Sequence, residues 1–146
     1  MRGAERGKLR FPIKSPMLVA ARLEGQNSYV RELSAVLDFN SPWCIIQRQD
    51  GIDLGYPEAA NLVKQWEQLH PDRVPRFLTL RGIERGIKVS LRRVSVGRLV
   101  ATDVDALILE MQPSRFGTFE VILGATFLKN FRLTVDMKKG YLSLLS

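Results

Sequence analysis

The feature that most constrains this chain is a succession of short extended segments separated by turns that contain glycine or proline. Residues 17–24 are followed by the turn at 25–27, and residues 29–38 return from it. Such a pair of segments is typical of a β-hairpin. Residues 87–96 alternate apolar and polar side chains, which is the period of a half-buried strand. The pattern predicts a mainly β fold, built as a small closed, barrel-like sheet.

Two helices are expected among these strands. Apolar residues recur at helical spacing from Ala59 to Leu69, Pro57 suits a first helical turn, and Pro71 would end the helix. We therefore predict one helix near 57–69 and a second, short helix near 125–131.

The chain length bounds the domain organisation. With 146 residues it fits one ordinary domain. Residues 1–16 are basic and contain Pro12 and Pro16, so we expect an N-terminal arm there and a single domain over 17–146. No apolar run approaches the roughly 20 residues that cross a bilayer, and no secretory apolar region is present. We expect a cytoplasmic protein with no membrane span.

Cysteine and histidine usage excludes several kinds of site. The chain has one cysteine, Cys44, and one histidine, His70. A lone cysteine cannot form an internal disulfide, which agrees with a reducing compartment. These two residues cannot build a zinc site of the usual ligands, so no metal and no cofactor are expected.

The charge of the chain is strongly basic. There are 22 Lys and Arg against 15 Asp and Glu, a formal charge of +7. Such an excess is compatible with a nucleic-acid partner, but no aromatic stacking motif accompanies the arginines. A nucleic-acid-binding accessory protein therefore rests on charge alone, and a solvated basic surface explains the same composition. A salt series separates the two, because phosphate contacts make affinity strongly salt-dependent.

Asp38 stands out because it follows the apolar run 35–37 and shortly precedes a second apolar run, 43–46. A carboxylate between two buried strands must be hydrogen-bonded or functional, since an unpaired buried charge is costly. Two interpretations remain open. Asp38 caps its own turn by accepting backbone N–H groups, or it performs chemistry.

The C-terminal part of the chain supplies a more specific signal. An apolar strand end at 121–124, a short helical segment at 127–131 and a closing hairpin at 133–142 follow one another. In this order of parts, residues 17–145 resemble the retropepsin-like aspartic proteases, a single-domain family that includes retroviral proteases and bacterial and archaeal relatives. The resemblance implies an acid-protease barrel in which 17–38 forms the opening hairpin and 77–91 contains a flap.

The catalytic signature of that family is altered here. The family has Asp-Thr-Gly or Asp-Ser-Gly, and the corresponding positions read Asp38-Phe39-Asn40. In the family the hydroxyl ties the two catalytic loops together, and Phe39 has none. Asn40 tolerates a positive φ better than most residues other than glycine, so the turn itself can survive.

The resemblance implies a set of site residues and an assembly. Asp38 would be catalytic, and the flap and loop residues that contact substrate would be Phe39, Asn40, Thr79, Leu80, Arg81, Gly82, Ile122 and Gly124. Aspartic proteolysis uses two carboxylates that share one proton, so a homodimer would supply one Asp38 from each subunit. The terminal strands, 17–24 and 141–145, would form the dimer sheet, because an open edge invites pairing with another chain.

Two functions follow from these features. The first is an aspartic endopeptidase that acts as a homodimer on an extended peptide or protein, with weak activity or none because the signature is altered. The alternative is a catalytically silent dimer of the same fold that binds a peptide or a partner protein.

Overall fold

A computed structural model of the chain describes residues 7–14, 16–60, 76–79, 82–109 and 119–146. Strands dominate the described residues. The elements, in chain order, are β1 Lys8–Pro12, β2 Leu18–Glu24, β3 Val30–Leu37, β4 Cys44–Gln47, α1 Arg48–Asp53, α2 Pro57–Ala60, β5 Arg76–Thr79, β6 Gly82–Val96, β7 Leu99–Leu109, β8 Val121–Leu123, α3 Ala125–Leu128, β9 Arg132–Asp136 and β10 Tyr141–Leu145.

Six strands close into a barrel in the order β2-β3-β8-β4-β7-β6, and β6 pairs with β2 over Arg22–Glu24 to complete the circuit. The prediction of a mainly β, barrel-like fold is confirmed. β8 lies between β3, to which it is parallel, and β4, to which it is antiparallel. This insertion brings residues about 85 positions apart into one register, with Leu37 opposite Leu123.

The barrel core follows from strand alternation. Along β6, Ile87, Val89 and Leu91 pack in or against the core, while Lys88 and Arg92 are exposed. That is the period-two division the sequence predicts for a half-buried strand. β6 turns back into β7 at Gly97, whose φ of +57° is in the left-handed region that favours glycine.

The predicted helices are found where the structure describes them. α2 begins at Pro57, as predicted, but residues 61–69 of the expected helix, and His70 beyond it, lie outside the described residues. α3 begins at Ala125, as predicted, and ends at Leu128 rather than at Phe131. None of the helices in the described ranges is long and apolar enough to cross a membrane.

The sequence reasoning missed α1, which contains Gly51 in its interior. Glycine disfavours a helix, but here it permits a close approach. A Cβ on Gly51 would lie 2.7 Å from Cδ1 of Ile108 in β7. Packing against the barrel therefore decides the conformation of this segment, against its local propensity.

The N-terminal segment is not separate from the rest of the chain over residues 8–12. β1 pairs with β10, and β10 pairs with β9, in a three-stranded sheet. The expectation of open edges at 17–24 and 141–145 is wrong for β10 and for residues 22–24 of β2, which pair with β6. β2 is a barrel strand, and β10 is the central strand of the small sheet. Within the described residues, the edges of that sheet are β1 and β9.

Candidate active site

The Asp38 turn is built at the end of β3 by backbone hydrogen bonds to β8. The Asp38 N–H donates to the Leu123 carbonyl oxygen at 3.0 Å, which continues the parallel pairing of β3 and β8 by one residue. The Ser41 N–H donates back to the Asp38 carbonyl oxygen at 3.2 Å. Asp38 is half-buried at this point.

The carboxylate of Asp38 is oriented by its own turn. Its Oδ1 accepts a 3.0 Å hydrogen bond from the Asn40 N–H. This is the turn-capping arrangement expected of an aspartate two residues before an amide donor. Capping and chemistry are compatible, because a carboxylate that accepts one hydrogen bond retains further acceptor positions.

Phe39 and Asn40 occupy the exposed tip of the turn. Asn40 is exposed, and Phe39 keeps 40% of its surface accessible. Asn40 does not adopt the positive φ that asparagine tolerates. Within the described residues, the non-glycine positions with positive φ are Asn27, Ser28 and Asp103. The turn therefore survives the loss of the family's glycine without a left-handed residue.

Gly124 is required where β8 meets the turn, and the reason is steric. A Cβ on Gly124 would lie 2.5 Å from the Ser41 carbonyl oxygen and closer still to that of Trp43. Both are backbone atoms of the connection between β3 and β4, so a side chain at Gly124 would have to displace that backbone. The Ala125 N–H next to it donates to the Ser41 carbonyl oxygen at 2.7 Å.

Two hydroxyl groups that the sequence reasoning did not single out fasten this region. The Ser41 Oγ donates to the Trp43 carbonyl oxygen at 2.7 Å. The Thr126 Oγ1 accepts from the Cys44 N–H at 3.0 Å and donates to the Asp105 carbonyl oxygen at 2.6 Å. Thr126 thus ties α3 to β4 and β7. The spacing of Thr126 in the sequence carries no signal for its role, because its two partners, Cys44 and Asp105, lie 82 and 21 positions away in the chain.

Ile122 lies on the same face of the barrel sheet as the Asp38 side chain. Directly paired residues share a face of a sheet, and a row of such pairs crosses five strands: Val36, Ile122, Ile45, Leu107 and Lys88. An apolar cluster outside the main core forms here, with Trp43, Phe77 and Phe119 packed against its buried members. Strand alternation places Asp38 on the same face as Val36, two residues before it.

The hairpin β5–β6 stands where the flap is expected. Thr79 and Gly82 pair at its end. Leu80 and Arg81 lie outside the described residues. The base of the hairpin packs on the apolar cluster, where the Phe77 ring meets the Trp43 ring edge-on at 5.9 Å between centroids. Of the predicted substrate-contacting residues, the structure brings Phe39, Asn40, Ile122 and Gly124 to the region of Asp38.

The surroundings of Cys44 and Asp136 indicate structural roles for both residues. Cys44 is fully buried, and burial raises the pKa of its thiol, so it is not poised as a nucleophile. Asp136 caps the turn between β9 and β10, where its Oδ1 accepts the Lys139 N–H at 3.0 Å. In the described ranges, no group of three His, Cys, Asp or Glu residues is placed to hold a metal ion.

A cluster of charged side chains connects β3 to α1. Arg31 contacts the Asp50 Oδ1 at 3.5 Å and the Asp53 Oδ2 at 3.2 Å. Asp50 is only 6% exposed. Burial raises the pKa of Asp50 to about 6, the Arg31 charge opposes that rise, and the nearby Glu120 and Asp53 carboxylates add to it.

Among the comparisons with known proteins, the search of solved structures bears on the fold. No protein-family model matches the chain, and a search of curated proteins finds no match. Among solved structures it is similar to a retropepsin-like aspartic protease from Rickettsia conorii, at 12% identity and a TM-score of 0.59, over 96% of this chain and 90% of that one. The retroviral protease-like domain of Ddi1 from Leishmania major aligns at 12% identity and a TM-score of 0.43, over 86% and 83% of the two chains. The similarity to the Rickettsia protease shows that the chain has a retropepsin-like fold.

Proposed function

We propose that this retropepsin-like chain is an aspartic endopeptidase that acts as a homodimer, with Asp38 of each subunit forming the catalytic pair. The observation that carries the proposal is the placement of Asp38. It is held at the junction of β3 and β8 by the Leu123 carbonyl oxygen, and its Oδ1 is oriented by the Asn40 N–H. The fold similarity to the Rickettsia protease supports the same assignment.

The chemistry follows from two carboxylates that share one proton. Two like charges a few ångströms apart cannot both ionise, so one carboxyl stays protonated while the other is a carboxylate. The carboxylate takes a proton from a water molecule as that water attacks the peptide carbonyl carbon. The protonated partner donates its proton to the carbonyl oxygen, which gives a tetrahedral gem-diol. The carboxyl that took the proton from water then gives it to the leaving nitrogen as the C–N bond breaks, and a gem-diol hydroxyl returns its proton to the partner, which restores the singly protonated pair. One Asp38 per chain makes a second copy necessary.

The edge strand β9 supports the dimer. All five of its residues are exposed, and Leu133 and Val135 keep 44% and 49% of their surfaces accessible. They lie opposite the buried Leu144 and Leu142 of β10, so they are on the apolar face of the small sheet. A strand edge with exposed apolar residues favours pairing with another chain. We assign β9, rather than β2, to the dimer surface.

The substrate in this proposal is an extended peptide. It would add as a strand between the β5–β6 hairpin, acting as a flap, and the barrel face that contains Ile122. The apolar cluster beneath that hairpin would contact the substrate side chains.

A catalytically silent dimer that binds a peptide or partner protein is the second candidate, and Phe39 favours it. The side chain in the hydroxyl position of the family signature is an aromatic ring with 40% of its surface accessible. Without that hydroxyl, the two Asp38 turns lose their hydrogen-bonded tie. A misplacement of about 1 Å can lower a rate on the order of a hundredfold, so we expect cleavage to be slow at best.

Cleavage of an unstructured protein over a range of pH tests the proposal. Asp38→Asn keeps the shape of the side chain and removes the shared proton, so it should abolish cleavage without unfolding the chain. Asp103→Asn is the matched control, because Asp103 is exposed in β7 and asparagine accepts its φ of +54°. Wild type and Asp103→Asn should cleave, and a statine-type transition-state analogue should block both. Equal cleavage by Asp38→Asn and wild type would refute the endopeptidase. A dimer that binds peptides and cleaves none would establish the second candidate.

A further inference from the structure

The Phe39 ring is an exposed aromatic side chain next to Asp38. It keeps 40% of its surface accessible at the tip of the turn. Of the described residues, it belongs to neither of the two apolar clusters. Single exposed apolar side chains are common on protein surfaces. What distinguishes this ring is that it directly follows Asp38.

The turn does not depend on the Phe39 side chain for its shape. The Asn40 N–H donates to the Asp38 Oδ1, and the Ser41 N–H donates to the Asp38 carbonyl oxygen. The Ser41 carbonyl oxygen then accepts a 2.7 Å hydrogen bond from the Ala125 N–H. All of these bonds use backbone atoms or the side chain of Asp38, so residue 39 is free to serve a contact outside the subunit.

A second copy of the chain is the occupant that the chemistry requires. Two carboxylates that share a proton stand about 3 Å apart, and consecutive Cα atoms are 3.8 Å apart. In a symmetric dimer with paired Asp38 carboxylates, the residue that follows Asp38 in each chain therefore lies close to the two-fold axis. This step depends on the proposed function, because it takes the Asp38 pair as its starting point.

We propose that the Phe39 rings of the two subunits pack against each other across the two-fold axis and form an apolar clasp that holds the two Asp38 turns together. Aromatic rings attract one another at centroid distances of about 4.5–7 Å, and a symmetric interface places like residues in contact. The clasp replaces a directional hydrogen-bonded tie by a contact that joins the subunits and orients the carboxylates less strictly. Phe39 is thus a dimer-contact and positioning residue.

Sedimentation equilibrium of substituted chains tests the clasp without any assay of cleavage. Phe39→Ala should raise the dimer dissociation constant at least tenfold, because it removes a central aromatic contact. Phe39→Leu keeps an apolar side chain and should stay within about threefold of wild type. Val100→Ala is the control, since Val100 is 38% exposed on β7 and should leave the constant unchanged. Circular dichroism and thermal melting should show that the Phe39→Ala monomer is folded.

Each outcome bears on the clasp separately from the endopeptidase. A dimer that is equally tight in wild type and Phe39→Ala refutes the clasp. A wild type that remains monomeric at high concentration refutes both the clasp and the homodimeric enzyme. Weakened dimerisation of Phe39→Ala, with no cleavage by wild type, supports the clasp and refutes the endopeptidase.

Discussion

The buried carboxylate of Asp50 makes a quantitative prediction about stability. Its pKa is raised from 3.8 to about 6 in the folded chain. A shift of that size corresponds to about 3 kcal/mol, at 1.36 kcal/mol per pH unit. Because the folded-state pKa lies above the unfolded value, this contribution is fully present below pH 3.8 and is lost as the pH rises through 6. At pH 8 the folded chain carries a charged carboxylate in a site that favours the neutral acid.

Asp50→Asn should therefore stabilise the protein at alkaline pH. Asparagine keeps the shape of the protonated acid and cannot ionise, and Arg31 keeps its contact with Asp53 at 3.2 Å. We expect the two proteins to have similar free energies of unfolding near pH 4. The variant should become more stable by up to about 3 kcal/mol near pH 8. For a chain of this length, that is a rise in the melting temperature of roughly 6–12 °C.

Urea unfolding at a series of pH values from 4 to 8 measures this difference. Arg31→Gln provides an opposite test, because Arg31 lowers the pKa of Asp50 and its removal should steepen the loss of stability with rising pH. Asp103→Asn controls for the loss of one negative charge at an exposed position. Parallel stability curves for wild type and Asp50→Asn, or a less stable variant at pH 8, would show that the reasoning about Asp50 is wrong.

Two further predictions concern the backbone and hydroxyl contacts around the Asp38 turn. Gly124→Ala should destabilise the chain by several kcal/mol, of the order of strong overpacking, because the new Cβ would clash with the Trp43 carbonyl oxygen. Gly140→Ala meets no atom within 4 Å and should cost only about 1–2 kcal/mol for its left-handed φ. Urea unfolding compares the two, and equal losses would contradict the steric argument. Thr126→Val leaves the Cys44 N–H without its acceptor and should cost about 1–3 kcal/mol. Thr126→Ser keeps the hydroxyl and should lose clearly less, and equal destabilisation by the two variants would count against this bond.

Sequence patterns are sufficient to predict the class of fold and to single out Asp38 as a candidate site residue. Alternating side chains in 87–96 predict a strand because every second residue must face the core, and the structure has that division in β6. Gly97 and Pro57 signal a turn and a helix start through their own backbone preferences, and both are found there. Asp38 could be singled out because a carboxylate between two apolar runs must be hydrogen-bonded or functional. These signals are readable because each depends on neighbours in the chain.

The contacts that join distant segments could not be predicted from sequence patterns. The pairing of β1 with β10 places a segment expected to be an arm in a sheet, and α1 forms around Gly51 because that face packs on Ile108. The insertion of β8 between β3 and β4 explains the steric need for Gly124. The pairing of β2 with β6 and of β10 with both β1 and β9 leaves β9 as an edge strand of the small sheet. Such features depend on which surfaces meet after the chain has folded. Local propensity and periodicity describe neighbours in the chain and carry no information about those long-range partners.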